Sequence, residues 1–179
     1  MAEKKDNEMS LEDLDKVVGG TTQVGTGDDE TLVGGAGDDK LAGLGGADTL
    51  DGGAGDDTLD GGWGDGADDV ADGGAGDDTF VWGLTGDGND TFHGGEGDDE
   101  LQLDLYNVDA DTIQEAFENG DWSIELTDAD GNSIEITDDM WDGNGNLNLP
   151  DGASGVITGP GPDNSTMTFD GVETITTFV

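Results

Sequence analysis

Cysteine and arginine are both absent from this 179-residue chain, and lysine occurs only four times. Without cysteine there are neither disulfides nor thiolate metal sites. Four basic side chains against 45 acidic ones, a net charge of −41, give no basic patch for nucleic acid or anionic lipid. No apolar run approaches the roughly 20 residues of a membrane-spanning helix. No apolar core of a general secretory signal follows the first lysines. Leu, Ile, Val and Phe together make up just under a fifth of the chain, which at this charge is the composition of a disordered protein. The catalytic repertoire is equally thin. His93 is the single histidine, and no nucleophile–base–acid set or Gly-x-Ser-x-Gly occurs, so no enzyme is predicted.

What the chain does have is glycine, 35 residues of it, in a period. Residues Gly34 to Asp60 are three consecutive nonapeptides, GGAGDDKLA, GLGGADTLD and GGAGDDTLD. Each sets a glycine-rich turn, then an aspartate (Asp39, Asp48, Asp57), then a leucine two positions on (Leu41, Leu50, Leu59). Related units surround them, pairing Asp29 with Leu32, Asp68 with Val70, Asp78 with Phe80, Asp90 with Phe92 and Asp99 with Leu101. The longer spacings fall near Trp63 and Trp82, which read as bulges in turns. A fixed short period of this kind is the mark of a solenoid.

The glycines let the backbone take positive φ and aim carbonyls inward, and the residues around each leucine suffice for a short strand with its middle side chain pointing one way. One unit is therefore half a coil, and two units close a turn. Stacked turns give two parallel sheets with Leu, Val and Phe between them, and loops that carry one carboxylate each along both edges. A carboxylate among backbone carbonyls is an all-oxygen site suited to calcium. Gly-Asp pairs also form ordinary turns, but eight in register favour calcium, because stacked like charges need a counter-ion.

The stretch Val24 to Gln102 resembles the RTX (repeats-in-toxin) calcium-binding nonapeptide array, GGxGxDxUx. The resemblance implies an all-β fold, a parallel β-roll with several calcium ions between successive loops. By position it carries the ligand role onto Asp29, Asp39, Asp48, Asp57, Asp68, Asp78, Asp90 and Asp99. It adds the backbone carbonyls of the loops around Gly35, Gly37, Gly46, Gly53, Gly55, Gly74, Gly76, Gly88, Gly95 and Gly97. Leu44 departs from the pattern by replacing the second glycine of its unit. The hydrophobic region that the family's pore-forming toxins carry ahead of their repeats has no counterpart here.

The flanks differ in composition. Residues 1–20 hold three of the four lysines and a short amphipathic pattern ending at Gly19-Gly20. LEDLDKVVGG resembles a double-glycine leader, which implies removal by a peptidase-bearing export transporter. Residues 21–102 are the repeats. Residues 103–179 are read as a mainly β cap over the open end of the solenoid, with a helix over Thr112–Glu118 and a hairpin whose strands start at Trp122 and Ser133. Strands are also expected over Gly155–Thr158 and Thr166–Phe178, and the tail is similar to the uncleaved type I export signals of the family. Together these readings predict a secreted, extracellular or cell-surface bacterial protein that folds on binding calcium, with a calcium-dependent, self-associating surface, matrix or filament structural protein or adhesin as the alternative, and a small secreted enzyme or bacteriocin-like effector ranked behind both. The Asp128–Asn132 run is read as a plain turn, not a second calcium loop.

Overall fold

The computed structural model describes residues 19–62, 64–83, 88–104, 123–142, 144, 146–158 and 165–178. Residues 1–18 of the expected leader, the expected helix over Thr112–Glu118, and Trp63 and Trp122 lie outside the described residues.

The repeats form a two-sheeted parallel solenoid. Strands β1 (Thr22–Val24), β3 (Lys40–Ala42), β5 (Thr58–Asp60), β7 (Thr79–Gly83) and β9 (Glu100–Asp104) stack in one sheet. Strands β2 (Thr31–Ala36), β4 (Thr49–Ala54), β6 (Val70–Ala75) and β8 (Asn89–Glu96) stack in the other. All these pairings are parallel, and the register superposes equivalent repeat positions: Leu32 on Leu50, Leu41 on Leu59, Leu59 on Phe80 and Phe80 on Leu101. The core between the sheets is one file from each, with Leu41, Leu50, Leu59, Phe80, Phe92 and Leu101 all buried. Phe80 and Phe92 stack across it at 5.2 Å between ring centroids. The alternation of buried and exposed positions follows the two-residue pleat.

Two expectations need correction. The core position of β6 is Ala71, fully buried and paired with Leu50 and Phe92, while Val70 faces outward. The larger side chain is on the solvent side because the strand register, not residue size, sets which face a position takes. Trp82 is no bulge either. It lies inside β7, buried and paired with Leu103, one more core residue along the same strand face.

Beyond the repeats the described residues are again β. The hairpin of β10 (Ser123–Thr127) and β11 (Ser133–Ile134) forms as predicted, with Asp128 accepting from the backbone N–H groups of Asp130 and Asn132. A 3-10 turn over Asp138–Met140 leads to β12 (Leu147–Asn148) and β13 (Ser154–Thr158). The expected strand over Thr166–Phe178 is two strands, β14 (Thr166–Asp170) and β15 (Thr174–Phe178), bent at Gly171 with φ 61°. They end in opposite sheets: β14 adds to β8 and β15 adds to β9, both parallel. Antiparallel β13 and β12 then cover them, so one end of the solenoid is closed.

Candidate metal centre

Two rows of buried carboxylates run along the solenoid, one per edge. On the first edge lie Asp39, Asp57, Asp78 and Asp99; on the second, Asp48, Asp69 and Asp90, all at most 2% exposed. Each sits two residues ahead of its core side chain, immediately before a strand or, for Asp90, at the start of β8, so the alternation that buries the core residue also buries the carboxylate. Coupling between turns is direct. The backbone N–H of Asp39 donates to Asp57 Oδ1 at 2.7 Å, that of Asp57 to Asp78 Oδ1 at 2.8 Å and that of Asp78 to Asp99 Oδ1 at 2.8 Å. On the other edge Glu30, Asp48 and Asp69 donate in the same way to Asp48, Asp69 and Asp90, each at 2.8 Å.

The second carboxylate oxygen is different. Oδ2 of Asp39, Asp48, Asp57, Asp69, Asp78 and Asp99 is buried with no hydrogen-bond partner. A buried unpaired carboxylate oxygen is costly, and six of them in two rows leave a file of anionic oxygens to be satisfied from outside the chain. Each points at a glycine. A Cβ on Gly52 would come closer than 3.0 Å to Asp57 Oδ2 and 2.7 Å from the carbonyl oxygen of Gly73 in the next turn. Gly34, Gly43 and Gly73 hold the same cradle, beside the carbonyls of Gly52, Gly61 and Gly94. Carboxylate and carbonyl oxygens thus converge where only glycine leaves room. Among the described residues no three acidic or histidine side chains converge, so a cation here must take carbonyl oxygens as well. That is the donor set of a hard cation such as calcium, and the residues fit it.

Burial is also the largest influence on how these acids titrate. It pushes Asp78 up to about 7 and Asp69 and Asp99 up to about 6, and raises Asp48 and Asp57 as well. The backbone N–H donated from the preceding turn opposes the shift, and neighbouring acids add to it.

The structure places six of the eight expected aspartates, Asp39, Asp48, Asp57, Asp78, Asp90 and Asp99, in the buried rows. Asp29 and Asp68 lie elsewhere. Both are exposed and belong to outer rows, Asp29 accepting from the N–H of Ala47 and Asp68 from the N–H of Asn89. The positions equivalent to Asp48 are Glu30 and Asp69, whose backbone carbonyls receive the N–H groups of Thr49 and Thr91. The missed signal was the two-residue spacing to the true core residue, Glu30 to Leu32 and Asp69 to Ala71. The ten loop glycines from Gly35 to Gly97 named above all have positive φ, as does Leu44 at 78° where glycine is replaced. His93 lies on the outer face of β8, its Nδ1 2.9 Å from Asp170 Oδ2.

The family model of the RTX calcium-binding nonapeptide repeat matches four times, over residues 24–59, 34–66, 63–81 and 84–104. The chain carries RTX calcium-binding repeats. Those matches reach from β2 to β9 and contain all seven aspartates of the buried rows. No curated protein and no solved structure matches the chain.

Proposed function

We propose that this protein is a secreted calcium-binding β-roll whose repeats fold when extracellular calcium fills the loops. The observation that carries the reading is the set of unpartnered, buried Oδ2 atoms in a chain of net charge −41. Lys40, the one lysine among the described residues, is exposed, so among those residues no lysine is buried beside these rows. Asp39, Asp57, Asp78 and Asp99 on one edge and Asp48, Asp69 and Asp90 on the other would hold the ions, with loop carbonyls completing each site. Cytosolic calcium is too scarce for sites of the ~10⁻⁴–10⁻³ M class found in extracellular modules. The chain then stays open for export by a leader-processing transporter and folds outside by mass action.

Circular dichroism of residues 21–179 during a calcium titration tests this. A cooperative gain of β signal with calcium and none with magnesium is expected. The same β signal in chelator would end the proposal. A second reading, a calcium-dependent structural subunit that self-associates, is favoured by one observation. Strands β1 and β2 end their sheets at the first turn, with Val24 62% and Val33 51% exposed. Calcium-dependent and concentration-dependent growth on a sizing column would support it.

A further inference from the structure

The C-terminal strands are more than a lid. Within the roll, residues in register on successive turns are 18 or 21 positions apart. Strand β14 lies on β8 at a separation of 77, in the register of a further turn: Phe169 on Phe92 and Asp170 on His93. Strand β15 continues on β9, with Ile175 on Leu101, at a separation of 74. Phe169, Val172 and Ile175 are buried in the core file. Read against the repeat, Glu173-Thr174-Ile175 takes the place of Asp99-Glu100-Leu101.

The polar groups repeat as well. The backbone N–H of Asp99 donates to Glu173 Oε2 at 2.8 Å, as Asp78 does to Asp99. The Asp99 carbonyl accepts from the N–H of Thr174 at 3.1 Å, as the Asp78 carbonyl accepts from Glu100 at 2.8 Å. At Gly94 the cradle recurs: a Cβ there would come closer than 3.0 Å to Asp99 Oδ2 and to the carbonyl oxygen of Gly171. Gly171 thereby stands where the next repeat's glycine would. Asp99 is 1% exposed and its Oδ2 has no partner, so an unsatisfied buried anion is aimed into this junction.

We propose that Thr166–Phe178 is the last turn of the roll supplied out of sequence, and that Asp99, Glu173 and the carbonyl of Gly171, gathered at Gly94, form a further divalent-cation site that latches the C-terminal strands to the repeats. The inference rests on reading the buried rows as calcium sites. Its consequence is that the tail docks only when the cation is present, because Asp99 and Glu173 otherwise face each other as two adjacent acids.

Hydrogen exchange of the full chain with and without calcium, together with a count of bound calcium by equilibrium dialysis, tests it on the wild type, Glu173→Gln and Glu173→Asp. In the wild type calcium should protect residues 166–178 together with β8 and β9. E173Q should bind one calcium fewer and lose that protection over 166–178 while β4 and β6 keep theirs. E173D, which restores the repeat's own aspartate, should recover both. An E173Q protein with unchanged calcium count and unchanged tail protection overturns the proposal and leaves the calcium reading standing. So does an E173Q protein that fails throughout without recovery in E173D. A wild type that binds no calcium overturns both.

Discussion

Asp68 and Asp69 are neighbours with opposite surroundings, and the difference is the sharpest residue-level statement the roll makes. Asp69 is buried with an unpartnered Oδ2, whereas Asp68 is exposed and holds the N–H of Asn89 at 2.8 Å. Asp69→Asn should therefore weaken calcium-dependent folding, raising the calcium midpoint by about tenfold, equivalent to ~1.4 kcal/mol. Asp68→Asn should shift it by less than about twofold. Equal shifts would show that the outer row takes part. Gly52→Ala is the second residue test. Its Cβ would collide with Asp57 Oδ2 and the Gly73 carbonyl, a backbone atom that cannot swing aside. Overpacking of this kind costs on the order of 1–3 kcal/mol, and a urea midpoint unchanged in calcium would disprove the cradle. In the sequence Gly52 is one glycine among 35; that it guards a carboxylate is visible only once turns are stacked.

At the scale of the element, the buried rows act as units and set the pH response. Asp69, Asp78 and Asp99 rise from 3.8 to about 6, 7 and 6 because burial disfavours their charge. In calcium-free buffer the folded roll therefore retains protons that an unfolded chain with ordinary carboxyls has released. Native protons in excess mean that stability falls as pH rises. The contribution is fully present below about pH 4 and is lost by about pH 7. Without calcium the β signal should accordingly be larger at pH 4.5 than at pH 7.5, where the chain is open. In millimolar calcium the order should invert, since the ion needs the deprotonated rows. A calcium-free β signal that climbs with pH would contradict the burial of these carboxylates. The units themselves were legible because the glycine–aspartate–leucine period repeats. Glu30 and Asp69 were not, since an insertion hides which of two adjacent acids precedes the core residue.

For the whole molecule the two ends are unequal. At the far end β14 and β15 extend the sheets and antiparallel β12 and β13 close them, while among the described residues β1 and β2 finish their sheets at the first turn. In a solenoid each turn is stabilised by its neighbours, so the calcium-loaded roll should open from the first turn. Amides of β1 and β2 should exchange roughly tenfold or more faster than those of β4 and β6. Uniform exchange would mean that another segment or a second copy covers that end.

The period, the glycine positions and the excess of acid determined by themselves that this chain is a two-sheeted roll with oxygen-rich loops, because a nine-residue unit of turn and short strand has few other ways to bury its one apolar side chain. Tertiary structure decided what depends on register and on distance along the chain. It chose Ala71 over Val70 for the core, put Asp69 and Glu30 in the inner rows, and brought Glu173 beneath Asp99 across more than seventy residues. Pairing between strands is a property of stacked turns, and no single repeat carries it.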